Sequence, residues 1–116
     1  PPTLTPASNV AQLGTVSGNI ALLTPNHWTT GQIVVARLGT IVNTIDISAQ
    51  LAGGGAFSVS NLPAGSTSKP LPTGFYYAYA RVSNPAINGG RVRVIPLPGF
   101  ADLRRTGAAT LNVTLP

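Results

Sequence analysis

No stretch of this chain keeps apolar residues at helical spacing for three turns; they alternate instead with polar residues over short runs bounded by Gly, Pro and Asn. A period of two is the mark of half-buried strands, because successive side chains leave a strand on opposite sides. In residues 13–23, Val16, Gly18, Ile20 and Leu22 share one side and Thr15, Ser17, Asn19 and Ala21 the other. Residues 32–38 are mostly apolar on both sides, which predicts a more central strand, and Gly39 marks a turn. In 41–48, Ile41, Ile45 and Ile47 alternate with Val42, Thr44, Asp46 and Ser48, so Asp46 falls on the polar side. A short strand at 57–60 sends Phe57 and Val59 one way and ends at Asn61-Leu62-Pro63. In 75–82, Phe75, Tyr77, Tyr79 and Arg81 are separated from Tyr76, Ala78, Ala80 and Val82. Strands at 91–95 and 109–115 complete the set, the latter with Leu111, Val113 and Leu115 inward. Seven short strands with frequent turns predict an all-β fold, an antiparallel sandwich with Greek-key connections.

A chain of 116 residues has room for one core, and residues 13–116 are assigned to it. Residues 1–12 carry three prolines in the first six positions and read as an extended arm that lies on a neighbour. A start at Pro1 without Met fits either a processed chain or one with residues further upstream. No apolar run approaches the roughly 18 residues of a membrane span. Charged residues are 8% of the chain, and the net charge of +5 comes from one Lys and six Arg against Asp46 and Asp102. Arg91 and Arg93, with Arg104 and Arg105, are the densest basic cluster. Nucleic-acid binders need many clustered phosphate contacts, so nucleic acid is not the expected partner, and the arginines read as solubilising.

The missing residue types restrict chemistry further. Without Cys, Glu or Met, and with His27 as the only imidazole, neither a catalytic triad nor a metal site has enough donors, so no catalytic residue, metal or cofactor is expected. Gly53-Gly54-Gly55 is followed by neither Lys-Ser nor a helix start and reads as a turn rather than a phosphate loop.

The run Gly55-Ala56-Phe57-Ser58-Val59-Ser60-Asn61-Leu62-Pro63-Ala64-Gly65 resembles the carboxypeptidase regulatory-like domains, immunoglobulin-like sandwiches related to transthyretin and to Cna-B domains. The opening strand around Val16-Ser17-Gly18-Asn19-Ile20, the Gly-led Gly31-Gln32-Ile33-Val34-Val35 and the closing Thr110-Leu111-Asn112-Val113-Thr114-Leu115 extend the resemblance over most of 13–116. It implies a seven-stranded, prealbumin-like Greek-key sandwich serving as a non-catalytic module of adhesins, pilus subunits, carbohydrate-active enzymes or phage structural proteins. Within the motif, Phe57 and Val59 fill the core, Leu62 covers the sandwich end, and Gly65 is free to adopt a positive φ. The family's Gly-x-Phe usually follows an Asp or Asn turn, where this chain has three glycines. Residues 66–74 also intervene before the next strand, an insertion suited to contact. Cna-B domains often carry a Lys–Asn isopeptide bond; the first strand here has no Lys and the chain no Glu, so none is expected.

Partner contacts are sought at Pro1, Pro2, Leu4 and Val10 of the arm, at His27 and Trp28, at Lys69 of the insertion, and at Tyr76. Trp28 is expected to cap one end of the sandwich; an exposed Trp stacking on a sugar or anchoring a protein is the other reading. Tyr77 and Tyr79 are expected inside, leaving Tyr76 out; exposed, they would form a stacking face for glycans. Asn112-Val113-Thr114 is a glycosylation sequon where the producing cell has that pathway. The expected function is that of a non-enzymatic assembly subunit, of an extracellular filament or as a virion decoration or accessory protein, homo-oligomeric or docked on a larger assembly. The alternative is a carbohydrate-binding or adhesin module. Both place the chain at an extracellular or virion surface.

Overall fold

The computed structural model describes residues 12–65 and 73–116. Among the described residues nine strands follow one another: β1 (Gln12–Leu22), β2 (Thr30–Arg37), β3 (Thr40–Asp46), β4 (Gly55–Ala64), β5 (Phe75–Ser83), β6 (Arg93–Pro96), β7 (Ala101–Asp102), β8 (Ala108–Thr110) and β9 (Val113–Leu115). One sheet has β1 between β4 on one side and β8 and β9, end to end, on the other. The second runs β3-β2-β5-β6, with β7 on the same edge of β5 as β6. The two pack face to face as an all-β, predominantly antiparallel sandwich.

The inward residues of both sheets meet in one core, those of β5 being the side expected outward. Val16, Ile20, Phe57, Val59, Leu62, Leu111, Val113 and Leu115 from the first sheet face Ile33, Val35, Ala78, Ala80 and Val82 from the second. Each large apolar side chain buried here contributes about 1.5–3 kcal/mol.

The strand pattern departs from the expected seven for identifiable reasons. The last strand is not continuous, because at Gly18 it approaches too closely to stay in the ladder. A Cβ on Gly18 would stand 1.7 Å from the Leu111 carbonyl oxygen. Leu111 donates its N–H to Ser17 (2.8 Å), and the Asn112 side-chain oxygen accepts the Asn19 N–H (2.9 Å), bridging the break between β8 and β9. Both pieces run parallel to β1, so the sandwich is not wholly antiparallel. The strand expected at 91–95 begins only at Arg93, and β7 had no period to reveal it. Between β6 and β7, the Leu97 N–H bonds the Ala78 carbonyl and keeps the edge of β5 covered.

Two bulges also move residues. β4 does not stop at Asn61: this Asn takes φ 61°, the register slips between Gly14 and Val16, and pairing resumes through Leu62 to Ala64. In β3, Val35 pairs with Asn43 but Ala36 with Ile41, so Val42 is an extra residue. Ile41 is thereby turned to the outer side, away from Ile45 and Ile47. Gly65 is not among the positive-φ glycines; its N–H bonds the Leu103 carbonyl instead.

Candidate interaction surface

β5 decides which aromatics meet solvent. Tyr76 is 1% exposed and Ala78, Ala80 and Val82 are equally buried, so Phe75, Tyr77 and Tyr79 stand on the outer side, reversing the expected orientation. Alternation divides a strand into two sides without saying which is inward. Here the tyrosine that goes in is the one whose hydroxyl finds a partner, donating to the Pro63 carbonyl at 2.6 Å. Tyr76 is therefore a core residue and not a partner contact.

The outer side of this sheet is apolar over several strands. Val34 pairs with Tyr79 and Ala36 with both Tyr77 and Ile41, which puts Val34 and Ala36 on the outer side, yet each is only 1% exposed. Larger neighbours thus cover them. Tyr77 and Tyr79 lie 6.3 Å apart with planes at 24°, and Phe75 stacks on Phe100 at 5.2 Å and 27°. Phe100, on the loop turned by Gly99 at φ 87°, is 65% exposed, and Leu38, at the tip of the β2–β3 turn, is 97% exposed. Two shallow depressions result. One, of about 330 Å³, lies between Arg37, Leu38, Phe75 and Phe100; the other, of about 400 Å³, lies between Tyr77, Tyr79, Val94, Pro96 and Phe100. Large apolar patches of this kind on a small domain mark interaction sites.

Arg104 and Asp102 frame one end of the face. Arg104 Nε and Nη2 donate to the two Asp102 carboxylate oxygens, each at 2.8 Å, and the guanidinium carbon stands 4.9 Å from the Phe75 ring centroid. The hydrogen bonds from the Arg104 side chain, with its backbone N–H second, hold the Asp102 carboxyl down at about 2. Because the folded value lies below the unfolded one, near 3.9, the pair stabilises the fold above pH 4 and loses that contribution as the pH falls through 2. Asp102→Asn is expected to lower the urea midpoint at pH 7, with the gap to wild type closing between pH 4 and pH 2. An unchanged gap across that window excludes the ion pair as its source.

A second cleft, of about 450 Å³, brings together His27, Trp28, Ile87, Arg91 and Arg93 at the opposite end of β5. Trp28 is 4% exposed, its indole N–H donates to the Pro116 carbonyl at 2.9 Å, and the His27 ring meets it edge-on at 4.7 Å. It caps the sandwich, and its ring offers no open stacking surface. The basic cluster is divided. Arg93 pairs with Val82 while Asp102, beside Arg104, pairs with Phe75, so the two groups sit seven residues apart along β5, about 23 Å. Arg105 is exposed next to Arg104. The Asp46 carboxyl is held below its usual range first by a hydrogen bond from the Ser48 side chain and second by the Ser48 N–H, donated at 2.8 Å.

Pro1, Pro2, Leu4, Val10 and Lys69 lie outside the described residues. The residues that build the face but were not singled out, Leu38, Val94 and Phe100, sit at a turn, at the edge of the sheet and in a loop, where hydrophobic period carries little signal. Comparison with known proteins finds no matching family model, curated sequence or solved structure.

Proposed function

We propose that this chain is a non-enzymatic assembly subunit, of an extracellular filament or as a virion decoration or accessory protein, that meets its neighbours through the outer side of the β3-β2-β5-β6 sheet. The observation that carries this reading is the apolar continuity of that side, with stacked Phe75 and Phe100 and near-parallel Tyr77 and Tyr79. Aromatic anchors supply most of the binding energy at protein interfaces. The polar groups around them, Arg37 and the Arg104–Asp102 pair, sit at its rim. The prealbumin-like, Greek-key reading of the sandwich belongs to the same proposal. With the interrupted strands counted once, the order is 4-1-7 opposite 3-2-5-6, whereas a constant-type immunoglobulin domain has 1-2-5-4 opposite 3-6-7.

The carbohydrate reading rests on the Tyr77–Tyr79 pair alone, whose rings form a platform for a sugar. Light scattering with negative-stain imaging separates the two. Wild type is expected to form particles larger than one copy, and the Tyr77→Ser, Phe100→Ser double variant to need at least tenfold more protein to do so while still unfolding in one cooperative step. A wild type that stays at single-copy mass at every concentration overturns the assembly reading, and saturable oligosaccharide binding lost in Tyr77→Ser then establishes the other.

A further inference from the structure

We propose that the cleft at the Trp28 end of the sandwich binds an organic oxyanion, a phosphate or carboxylate carried on a small apolar body. This site lies at the opposite end of β5 from Phe75 and its stack on Phe100, and stands apart from the assembly reading. Strand pairing puts the cations there. Arg93 is paired with Val82, a core residue, and Ile95 with core Ala80, so alternation along β6 turns Arg93 to the inner side of the sheet and Val94 to the outer. At this end of the sandwich the inner side opens into the cleft, and Arg93 lines it beside Trp28. Arg91, two residues earlier and extended at φ −61° and ψ 134°, lines it too. An inward arginine on an edge strand also deters pairing with another chain, but that role requires neither a cleft nor a second cation.

Neither guanidinium has an internal counter-charge. The chain holds two carboxylate side chains: Asp102 is engaged by Arg104 near Phe75, and Asp46 by Ser48. Arg104–Asp102 is the one ion pair among the described residues. A planar guanidinium fork matches the oxygens of a carboxylate or phosphate, and Arg91 and Arg93 bring two forks to one cleft with the His27 imidazole beside them. Ile87 and Trp28 make the rest of the wall apolar, which suits a ligand with an apolar body better than a bare ion. At about 450 Å³ the cleft falls within the range of small-molecule sites, about 300–1,000 Å³. Its walls are also tied together in advance. The Asn84 side chain donates to the His27 carbonyl at 2.8 Å and accepts the Ala86 N–H at 2.9 Å, fixing the β1–β2 loop against the segment that leaves β5. A site held in shape loses less entropy on binding.

Because Trp28 is the only Trp, its indole N–H gives a single resonance in a nitrogen–proton NMR spectrum, and that resonance reports on the cleft. Phenyl phosphate and benzoate are titrated into the full chain, with inorganic phosphate testing the need for an apolar body and benzyl alcohol the need for charge. Phenyl phosphate or benzoate is expected to shift the resonance saturably, the tighter of the two naming the oxyanion. Inorganic phosphate and benzyl alcohol are each expected to bind more weakly than either acid. Arg91→Gln and Arg93→Gln, each still unfolding in one cooperative step, are expected to weaken binding about tenfold or more. Arg105→Gln removes the same charge at the far end and is expected to leave binding as in wild type. The absence of a saturable shift with both acids overturns the proposal. Equal weakening in Arg105→Gln overturns it too, since the attraction is then that of a chain of net charge +5 and not of the cleft. Inorganic phosphate or benzyl alcohol binding as tightly as the better acid overturns the organic or the anionic part of the assignment.

Discussion

Gly18→Ala is expected to cost on the order of 4 kcal/mol, a large fraction of the 5–15 kcal/mol that holds a domain of this kind together. The added Cβ would lie 1.7 Å from the Leu111 carbonyl oxygen and 2.7 Å from its carbon, both backbone atoms, and 3.0 Å from a Phe57 ring carbon. No side-chain rotation relieves a clash with backbone, so the last strand must move away from β1. Overpacking alone costs about 1–3 kcal/mol. The displacement also loosens the bonds from Leu111 to Ser17 and from Asn19 to Asn112, each worth about 1 kcal/mol. Gly53→Ala is the control, since a Cβ there has nothing within 4 Å and the residue is not at positive φ. It should leave the urea midpoint within about 0.5 kcal/mol of wild type, or raise it slightly by restricting the unfolded chain. Equal midpoints for the two variants would remove the close approach at Gly18 from the account of why the last strand divides.

That glycine also shows where sequence reading stops. Its side of β1 follows from Val16 and Ile20, but the reason it lacks a side chain is the approach of a strand some ninety residues later, which alternation along one strand does not encode. The same distinction runs through the molecule. Local period placed Phe57, Val59, Leu111, Val113 and Leu115 in the core, and the doubly apolar 32–38 at a central position, because those properties depend on one strand and its burial. Ile41 was misplaced because a bulge at Val42 reverses the period, and a bulge is set by pairing with β2. Tyr76 and Tyr77 were exchanged because the choice of inner side depends on whether a hydroxyl can reach Pro63. The candidate surface was legible only as one half of an alternative, exposed Tyr77 and Tyr79. Phe100 and Leu38 join it through turn geometry, and the four clustered arginines are divided by the length of β5.

Trp28→Ala is expected to cost about 3–5 kcal/mol, the range for removing a buried aromatic, because the ring fills the sandwich end where the β1–β2 loop meets the C-terminus. The loss has two parts that a second variant separates. Trp28→Phe keeps an aromatic ring but withdraws the indole N–H from the Pro116 carbonyl, and should recover most of the stability, leaving a deficit of about 1–2 kcal/mol from the unmade bond and the smaller ring. As the only Trp, it reports on itself: its emission should be blue-shifted and resistant to acrylamide in the native state, becoming accessible in one step with unfolding. A readily quenched native signal would place the ring in solvent and reopen it as a stacking residue. Tyr77→Ser and Phe100→Ser stand on the outer side of the sheet; they should change assembly and leave the Trp28 emission as in wild type, with a loss in the urea midpoint of about 1 kcal/mol where Tyr77 no longer covers Ala36. If the Trp28 variants lose assembly only in proportion to the fraction unfolded, while the two face substitutions abolish it in a fully folded chain, then the aromatic side of the sheet is the interaction surface and the indole is part of what holds that sheet in place.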